Sequence, residues 1–120
     1  MKIEFSTLVG KTLVEINGEK GEESIVFKTN NGEEYMLYHD QDCCEHVFVD
    51  DICGDLNDLL NCPILRAEEN SNSEGYPRDN DDSFTWTFYR LETVKGSVVI
   101  RWYGSSNGYY SESVDFCKLK

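Results

Sequence analysis

Arg101 is the side chain whose setting most suggests chemistry. It stands inside the apolar and aromatic run 98–103, and a second aromatic run, 84–89, precedes it. A guanidinium in the middle of a strand must be paired if it is buried, and its planar fork holds phosphate or carboxylate well. Tyrosine rings beside it would stack on a base, contributing about 1–3 kcal/mol per base. The pattern leaves two hypotheses open: a site for an anionic ligand, or an ion pair between Arg101 and an internal carboxylate such as Glu112.

Residues 39–46 form a second concentration of reactive side chains, with two histidines, two cysteines and three carboxylates. The adjacent Cys43 and Cys44 cannot easily reach one tetrahedral ion, and no further Cys-x-x-Cys or His-x-x-x-His completes four ligands. A cysteine nucleophile would need a base, for which His39 and His46 are the nearby candidates. No paired His-x-Thr motif and no glycine-rich phosphate loop occurs. We therefore expect a structural turn here, with no metal, no cofactor and no catalytic residue.

Composition limits the class of protein. The 120 residues have a formal net charge of −12 and a pI near 4.4, which disfavours binding to nucleic acid polymers and to anionic membranes. No apolar stretch approaches the roughly 18 residues of a membrane helix, and no signal peptide is evident. Five cysteines, two of them adjacent, are a poor disulfide framework. These features predict a single cytoplasmic domain, residues 1–120, with free thiols.

The fold predicted from the pattern is α+β. Residues 12–16, 24–29 and 33–39 alternate with the period of a strand and read as an antiparallel meander. From Asp50 the spacing changes to that of a short helix, and Pro63 blocks its continuation. Residues 64–68 are a candidate short strand. The apolar stripe of the predicted helix consists of Ile52, Leu56, Leu59 and Leu60.

Residues 69–83 are almost entirely polar, acidic or turn-forming. We expect a mobile surface loop there. It is either a tolerated insertion or, functionally, a lid or an oligomer contact.

The last third of the chain predicts a second meander, from residues 84–89, 98–103 and 109–116. A three-residue loop with Gly96 in the left-handed region would place Trp102 opposite Phe88 and Arg101 opposite Tyr89. The predicted core face then holds Trp86, Phe88, Ile100 and Trp102, and the predicted ligand face holds Thr87, Tyr89, Arg101, Tyr103 and Tyr110.

Two blocks of the sequence, 38–56 and 85–113, contain runs that resemble a known family. The matching runs are 38–45 and 50–56 in the first block, and 85–89, 100–104 and 106–113 in the second. They are similar to the Thoeris anti-defence sponges of phages, over about half of the chain. The resemblance implies a protein that binds and sequesters cyclic ADP-ribose isomers made by TIR-domain proteins, and in some members cyclic di- and trinucleotides of the CBASS defence, without degrading them. It also implies dimers, or hexamers built from dimers, with aromatic and arginine side chains in pockets at subunit contacts.

The ligand residues follow from this resemblance, because several candidates lie inside the matching blocks. A ligand with two or three phosphates needs more than one cation, which adds two further arginines. The predicted ligand-binding residues are Arg101, Trp102, Tyr103, Asn107, Tyr109, Tyr110, Tyr89, Arg90 and Arg66. The acidic run 40–45 is assigned to structure.

The expected function is a reversible sink for cyclic nucleotide signals in the cytoplasm of an infected bacterium, and not an enzyme. One alternative is an acidic decoy whose charge imitates nucleic acid and blocks a host defence protein. Another is a phosphodiesterase that cleaves the messenger.

Overall fold

The computed structural model describes residues 2–78 and 81–120, and their regular structure is almost all β-strand. Two short 3-10 helices, Phe5–Leu8 and Leu56–Leu59, accompany the strands. In chain order the strands are β1 (Leu13–Asn17), β2 (Ser24–Thr29), β3 (Glu34–Tyr38), β4 (His46–Cys53), β5 (Arg66–Asn72), β6 (Ser83–Thr93), β7 (Gly96–Ser106) and β8 (Asp115–Lys118).

The strands form two antiparallel sheets of four, with the orders β1-β2-β3-β8 and β4-β7-β6-β5. One hydrophobic cluster draws side chains from both sheets. At its centre Phe5 of the first 3-10 helix lies 4.7 Å from Tyr89 and 5.1 Å from Phe116, measured between ring centroids. Alternate residues of each strand point into this cluster, as strand geometry requires. The sheet of β4 to β7, called the second sheet below, therefore has an inner face in the core and an outer face toward solvent.

The predicted α+β class is wrong, because the described residues contain no α-helix and the fold is all-β. The predicted helix after Asp50 is instead the end of β4 followed by a 3-10 turn. Gly54 has φ of +112° and lies so close to Ser97 that an added Cβ would meet its carbonyl oxygen at 2.7 Å. That geometry interrupts a helix at residue 54. Asp55 then caps the 3-10 turn by accepting a hydrogen bond from the amide of Asn57.

The first predicted meander is confirmed, since β1, β2 and β3 pair in that order. The third strand of the second predicted meander is wrong. The chain turns at residues 107–110 and reaches β8, which pairs with β3 in the first sheet. Gly104 permits this crossing, because a Cβ there would meet the carbonyl oxygen of Glu112 at 2.5 Å.

The predicted register of β6 and β7 is also wrong, by one residue. Thr93 pairs with Gly96 across a two-residue turn, and Gly96 does not have a positive φ. As a result Phe88 is opposite Arg101, and Thr87 is opposite Trp102. A shift of one residue moves a whole set of side chains to the other face of a sheet.

The connection between β5 and β6 is shorter than the predicted loop 69–83, since β5 extends to Asn72 and β6 begins at Ser83. Residues 79 and 80 of that prediction lie outside the described residues. No helix in the described part of the chain is long and apolar enough to cross a membrane. The expectation of free thiols holds for Cys53, Cys62 and Cys117 but is wrong for Cys43 and Cys44, which form a disulfide.

Candidate functional site

The outer face of the second sheet brings aromatic rings and arginines together. Tyr103 on β7 lies at the centre of the rings. Its ring centroid is 4.6 Å from that of Trp86, 6.3 Å from that of Phe84 and 6.1 Å from that of Phe48. These rings come from β4, β6 and β7, and pairs of this geometry contribute about 0.5–1.5 kcal/mol beyond burial. With Arg78, Arg101 and Asp50 they form what we call the arginine–aromatic cluster.

Asp50 anchors both arginines of the cluster. Its Oδ2 accepts a hydrogen bond from Arg101 Nε at 2.8 Å and lies 2.6 Å from Arg101 Nη2, and its Oδ1 lies 3.3 Å from Arg78 Nε. The carboxylate is 8% exposed, whereas the Arg101 and Arg78 side chains are 41% and 45% exposed. One buried carboxylate therefore orients two guanidinium groups whose other donors face solvent.

A β-bulge explains how Asp50 reaches this position. Val49 pairs with Trp102 and Asp51 pairs with Arg101, so that Asp50 is an extra residue in β4. Bulges of this kind re-aim a side chain and are frequent beside functional sites. On the other edge of β4, Val49 exchanges backbone hydrogen bonds with Gly21 and Glu22, which covers that edge near the bulge.

Each arginine of the cluster also lies over a ring. The Arg101 guanidinium carbon is 5.2 Å from the centroid of Trp86, and that of Arg78 is 5.2 Å from the centroid of Phe48. Such cation–π contacts contribute about 0.5–2 kcal/mol, depending on desolvation. Beyond Asp50, neither arginine has another carboxylate partner within the described ranges. The arrangement presents flat rings next to guanidinium edges, which suits a ligand with an anionic group and a planar ring.

The connection before β6 is attached to the cluster through Tyr103. The Tyr103 hydroxyl donates to Asp81 Oδ2 at 2.6 Å and accepts from the backbone amide of Arg78 at 3.0 Å. Tyr103 is only 2% exposed, because the rings and this connection cover it.

Two of the predicted ligand residues, Arg101 and Tyr103, meet in the cluster. Two others do not, because Trp102 and Tyr89 are fully buried on the inner face, and their prediction as ligand contacts is wrong. The one-residue error in register explains the position of Tyr89. It puts Tyr89 on the inner face and puts Trp86, predicted as core, beside Arg101 on the outer face. Arg101 does pair with an internal carboxylate, as the second hypothesis predicts, but the partner is Asp50 and not Glu112. Glu112 accepts hydrogen bonds from the Thr85 and Ser106 hydroxyls.

The other predicted tyrosines lie apart from the cluster, in the segment 107–114. Tyr109 is 88% exposed, and its amide donates to the Asn107 side chain at 3.1 Å, in a local turn. Tyr110 lines a groove of about 260 Å³ with Glu69, Glu112 and several hydroxyl side chains. No cationic side chain lines this groove, so it does not suit an anion.

Arg90 and Arg66 share the outer face but lie at increasing distance from Arg101. Arg90 is opposite Val99, which by strand spacing puts its Cα roughly 8 Å from that of Arg101. It borders a shallow groove of about 220 Å³ with Phe88 and Asn70. Arg66 is two strands away, roughly 16 Å by the same spacing, and its Nε pairs with Glu68 at 2.9 Å.

Sequence reasoning missed Phe48, Asp50 and Arg78. Phe48 alternates with Val47 and Val49, a pattern that could have identified β4. No sequence pattern indicated Asp50 or Arg78. Asp50 reaches the cluster because of the β-bulge in β4, and Arg78 reaches it because of the path of the chain between β5 and β6.

In residues 39–46, the buried Glu45 carboxylate caps backbone amides. Glu45 Oε1 accepts hydrogen bonds from the amides of Asp42 and Cys43, at 3.2 and 2.9 Å, and from the Gln41 side chain. Burial alone would raise the pKa of Glu45, but these hydrogen bonds and His39 outweigh burial and lower it. Among the residues that the structure describes, no group of three potential metal ligands occurs.

A model of a family described as a domain of unknown function, DUF7448, matches residues 6–116. The chain belongs to this family. No curated protein and no solved structure matches the chain. The DUF7448 match runs from the first 3-10 helix into β8, so the second sheet, with the arginine–aromatic cluster, and the first sheet up to the start of β8 lie inside it.

Proposed function

We propose that this DUF7448 protein binds and sequesters small cyclic nucleotide signals, and that the arginine–aromatic cluster holds the ligand. The resemblance to Thoeris anti-defence sponges suggests cyclic ADP-ribose isomers as the first ligands to test, followed by the cyclic di- and trinucleotides of CBASS. In this proposal the protein acts in the cytoplasm of the infected host and releases its ligand unchanged.

The observation that carries the proposal is the position of Arg101. Its guanidinium lies over Trp86 and beside a second guanidinium, that of Arg78, at the surface of a protein with a net charge of −12. In such an acidic protein, an anion binds only where cations gather locally against the overall field. A base stacked on Trp86 would have its phosphates within reach of a guanidinium edge.

Capture and release of ligand test the proposal. The protein is incubated with TIR-derived cyclic ADP-ribose, free ligand is removed, and the protein is denatured by heat so that the released molecule can be analysed. Intact ligand supports sequestration. A linear product would establish a phosphodiesterase instead. Absence of bound ligand across a panel of cyclic nucleotides would favour the acidic decoy.

A matched pair of variants locates the site. Arg101→Ala and Arg66→Ala change the net charge by the same one unit and alter the same face of the same sheet. We expect Arg101→Ala to lose capture and Arg66→Ala to keep it. Equal losses would show that charge in general, rather than the cluster, drives binding.

A further inference from the structure

A buried histidine and a buried glutamate meet where the chain passes from the first sheet to the second. His39 follows β3 and Glu45 precedes β4. Their side chains are 4% and 1% exposed, and His39 Nε2 lies 3.2 Å from Glu45 Oε2. The sequence placed both residues in the reactive run 39–46, and the proposed ligand site makes no use of them.

The hydrogen bond to Ser113 determines which ring nitrogen of His39 carries a hydrogen. Its Nδ1 lies 2.7 Å from the carbonyl oxygen of Ser113, which can only accept, so that Nδ1 carries a hydrogen and donates it. The opposite ring atom, Nε2, faces Glu45 Oε2, because Oε1 is occupied by backbone and side-chain donors. Neither Nε2 nor Oε2 has a hydrogen-bond partner.

A buried pair of acceptors in this arrangement is unfavourable. With neutral His39 and ionised Glu45, two lone pairs would face each other away from water, and both atoms would remain unsatisfied. One additional proton, held between Nε2 and Oε2, satisfies both atoms. We propose that His39 and Glu45 share one proton, and that the pair is a pH-sensitive clasp which closes the turn 39–46, while Nδ1 of the same imidazole ties this turn to Ser113.

The surroundings leave His39 as the partner of Glu45. The charged and titratable groups that flank the clasp along the chain are Tyr38, Asp40, Asp42, His46, Glu112 and Asp115. His46 is exposed, and its Nε2 lies near Glu23. Asp40 and Asp42 are exposed, and Asp42 approaches Glu45 through its backbone amide. The Glu112 carboxylate accepts from two hydroxyl groups, and Asp115 pairs with a lysine.

The direction of the pH effect follows from counting protons. Above about pH 6.5 the unfolded chain has a neutral imidazole and an ionised carboxylate, and so binds no proton at these two positions. The folded clasp binds one. Folding therefore takes up a proton, and the unfolding equilibrium constant rises by up to tenfold for each pH unit until the folded clasp also loses its proton.

Two variants test the clasp by urea unfolding between pH 6 and pH 9. In Glu45→Gln the amide oxygen keeps the existing donors, and the amide N–H donates to Nε2 without an added proton. We expect this variant to lose the wild-type slope of stability against pH. His46→Gln is the control, because His46 is exposed and its contact with Glu23 is 3.6 Å. It should keep the slope.

Equal slopes in the wild type and Glu45→Gln, or loss of the slope in His46→Gln, would overturn the proposal. If Glu45→Gln does not fold, a measurement on the wild-type protein alone tests the proposal. The wild-type imidazole ¹⁵N spectrum at pH 7.5, with His46→Gln used for assignment, should show two protonated ring nitrogens on His39. A bare Nε2 facing an ionised Glu45 would refute the clasp. None of these measurements uses a ligand, so failure here leaves the proposed binding function untouched.

Discussion

At Asp50 one carboxylate serves two guanidinium groups, so removal of either arginine has consequences for stability as well as for binding. Losing one partner of a buried ion pair costs about 3–5 kcal/mol when the remaining charge is stranded. Arg78 stays within 3.3 Å of Asp50, and Arg101 is 41% exposed, so solvent and the second arginine both reduce that cost. The expected loss is correspondingly smaller.

We predict that Arg101→Ala weakens ligand binding at least tenfold and lowers the free energy of unfolding by about 1–2 kcal/mol. Calorimetric titration with cyclic ADP-ribose and urea unfolding measure the two effects. Arg101→Lys separates charge from geometry, because an ammonium keeps the charge but cannot form the planar fork. A stability loss with unchanged affinity would mean that Arg101 serves only Asp50.

Tyr103 connects this site to a longer element, the link between β5 and β6. Its hydroxyl bonds both to the amide of Arg78 and to Asp81, on either side of residues 79 and 80. The ring itself is held by its aromatic neighbours. The hydroxyl can therefore be removed without disturbing the packing of the cluster.

We predict that Tyr103→Phe lowers the free energy of unfolding by about 1–3 kcal/mol, because it removes one neutral hydrogen bond and one to a carboxylate. Amide hydrogen exchange should accelerate at Arg78, because its acceptor is lost. The amide of Asn61, which donates to the Leu13 carbonyl oxygen elsewhere in the fold, provides the control. Unchanged exchange at Arg78 would show that Tyr103 does not hold the connection.

The elements that the sequence predicts correctly are those in which alternation and tertiary pairing agree. The strand predicted at residues 24–29 coincides with β2. The stripe Ile52, Leu56 and Leu59 has helical spacing, but pairing of β4 with β7 prevails over this local pattern. Arg101 and Tyr103 were recognisable from residue type alone. Their partners Asp50 and Arg78 could not be recognised in this way, because neither a β-bulge nor an irregular connection produces a periodic sequence pattern.

Glu33 connects elements of the first sheet. It lies just before β3 and pairs with Lys11, which precedes β1, and with Lys118 of β8, both at 2.9 Å. The hydrogen bonds from Lys11 and then from Lys118 lower the pKa of Glu33 to about 2, against the smaller effect of burial. A lowered pKa stabilises the fold above the unfolded value of 4.5, and this contribution is lost as the pH falls toward 2.

We predict that Glu33→Gln reduces the urea midpoint at pH 7 and that its difference from the wild type shrinks below about pH 4.5, vanishing near pH 2. Glu34→Gln is the matched control, because Glu34 pairs with the exposed Lys120 at the end of the chain and should change the midpoint little. A difference of the same size at pH 2 and pH 7 would rule out the charge of Glu33 as the cause.

At the scale of the whole molecule, the two sheets cover each other's inner faces and leave the outer faces open. Tyr89 and Trp102, which the sequence analysis predicts as ligand contacts, are used in the core. Phe48, Phe84 and Trp86 remain only partly buried on the outer face of the second sheet. Contiguous apolar surface of this kind is often a site of association.

We predict that the protein is an oligomer in which part of this outer face is buried between copies. A self-complementary patch around a two-fold axis is the commonest arrangement, and the charge of −12 on each copy should make assembly stronger at higher salt. Light scattering at micromolar concentration should give a mass of at least twice 13.8 kDa.

Phe88→Glu places a charge on the outer face, opposite Arg101, and should give the monomer mass. Val94→Glu, at the exposed tip of the β6–β7 hairpin, should not. A wild-type mass near 13.8 kDa, or a Phe88→Glu protein that stays assembled, would show that the outer face is not the contact.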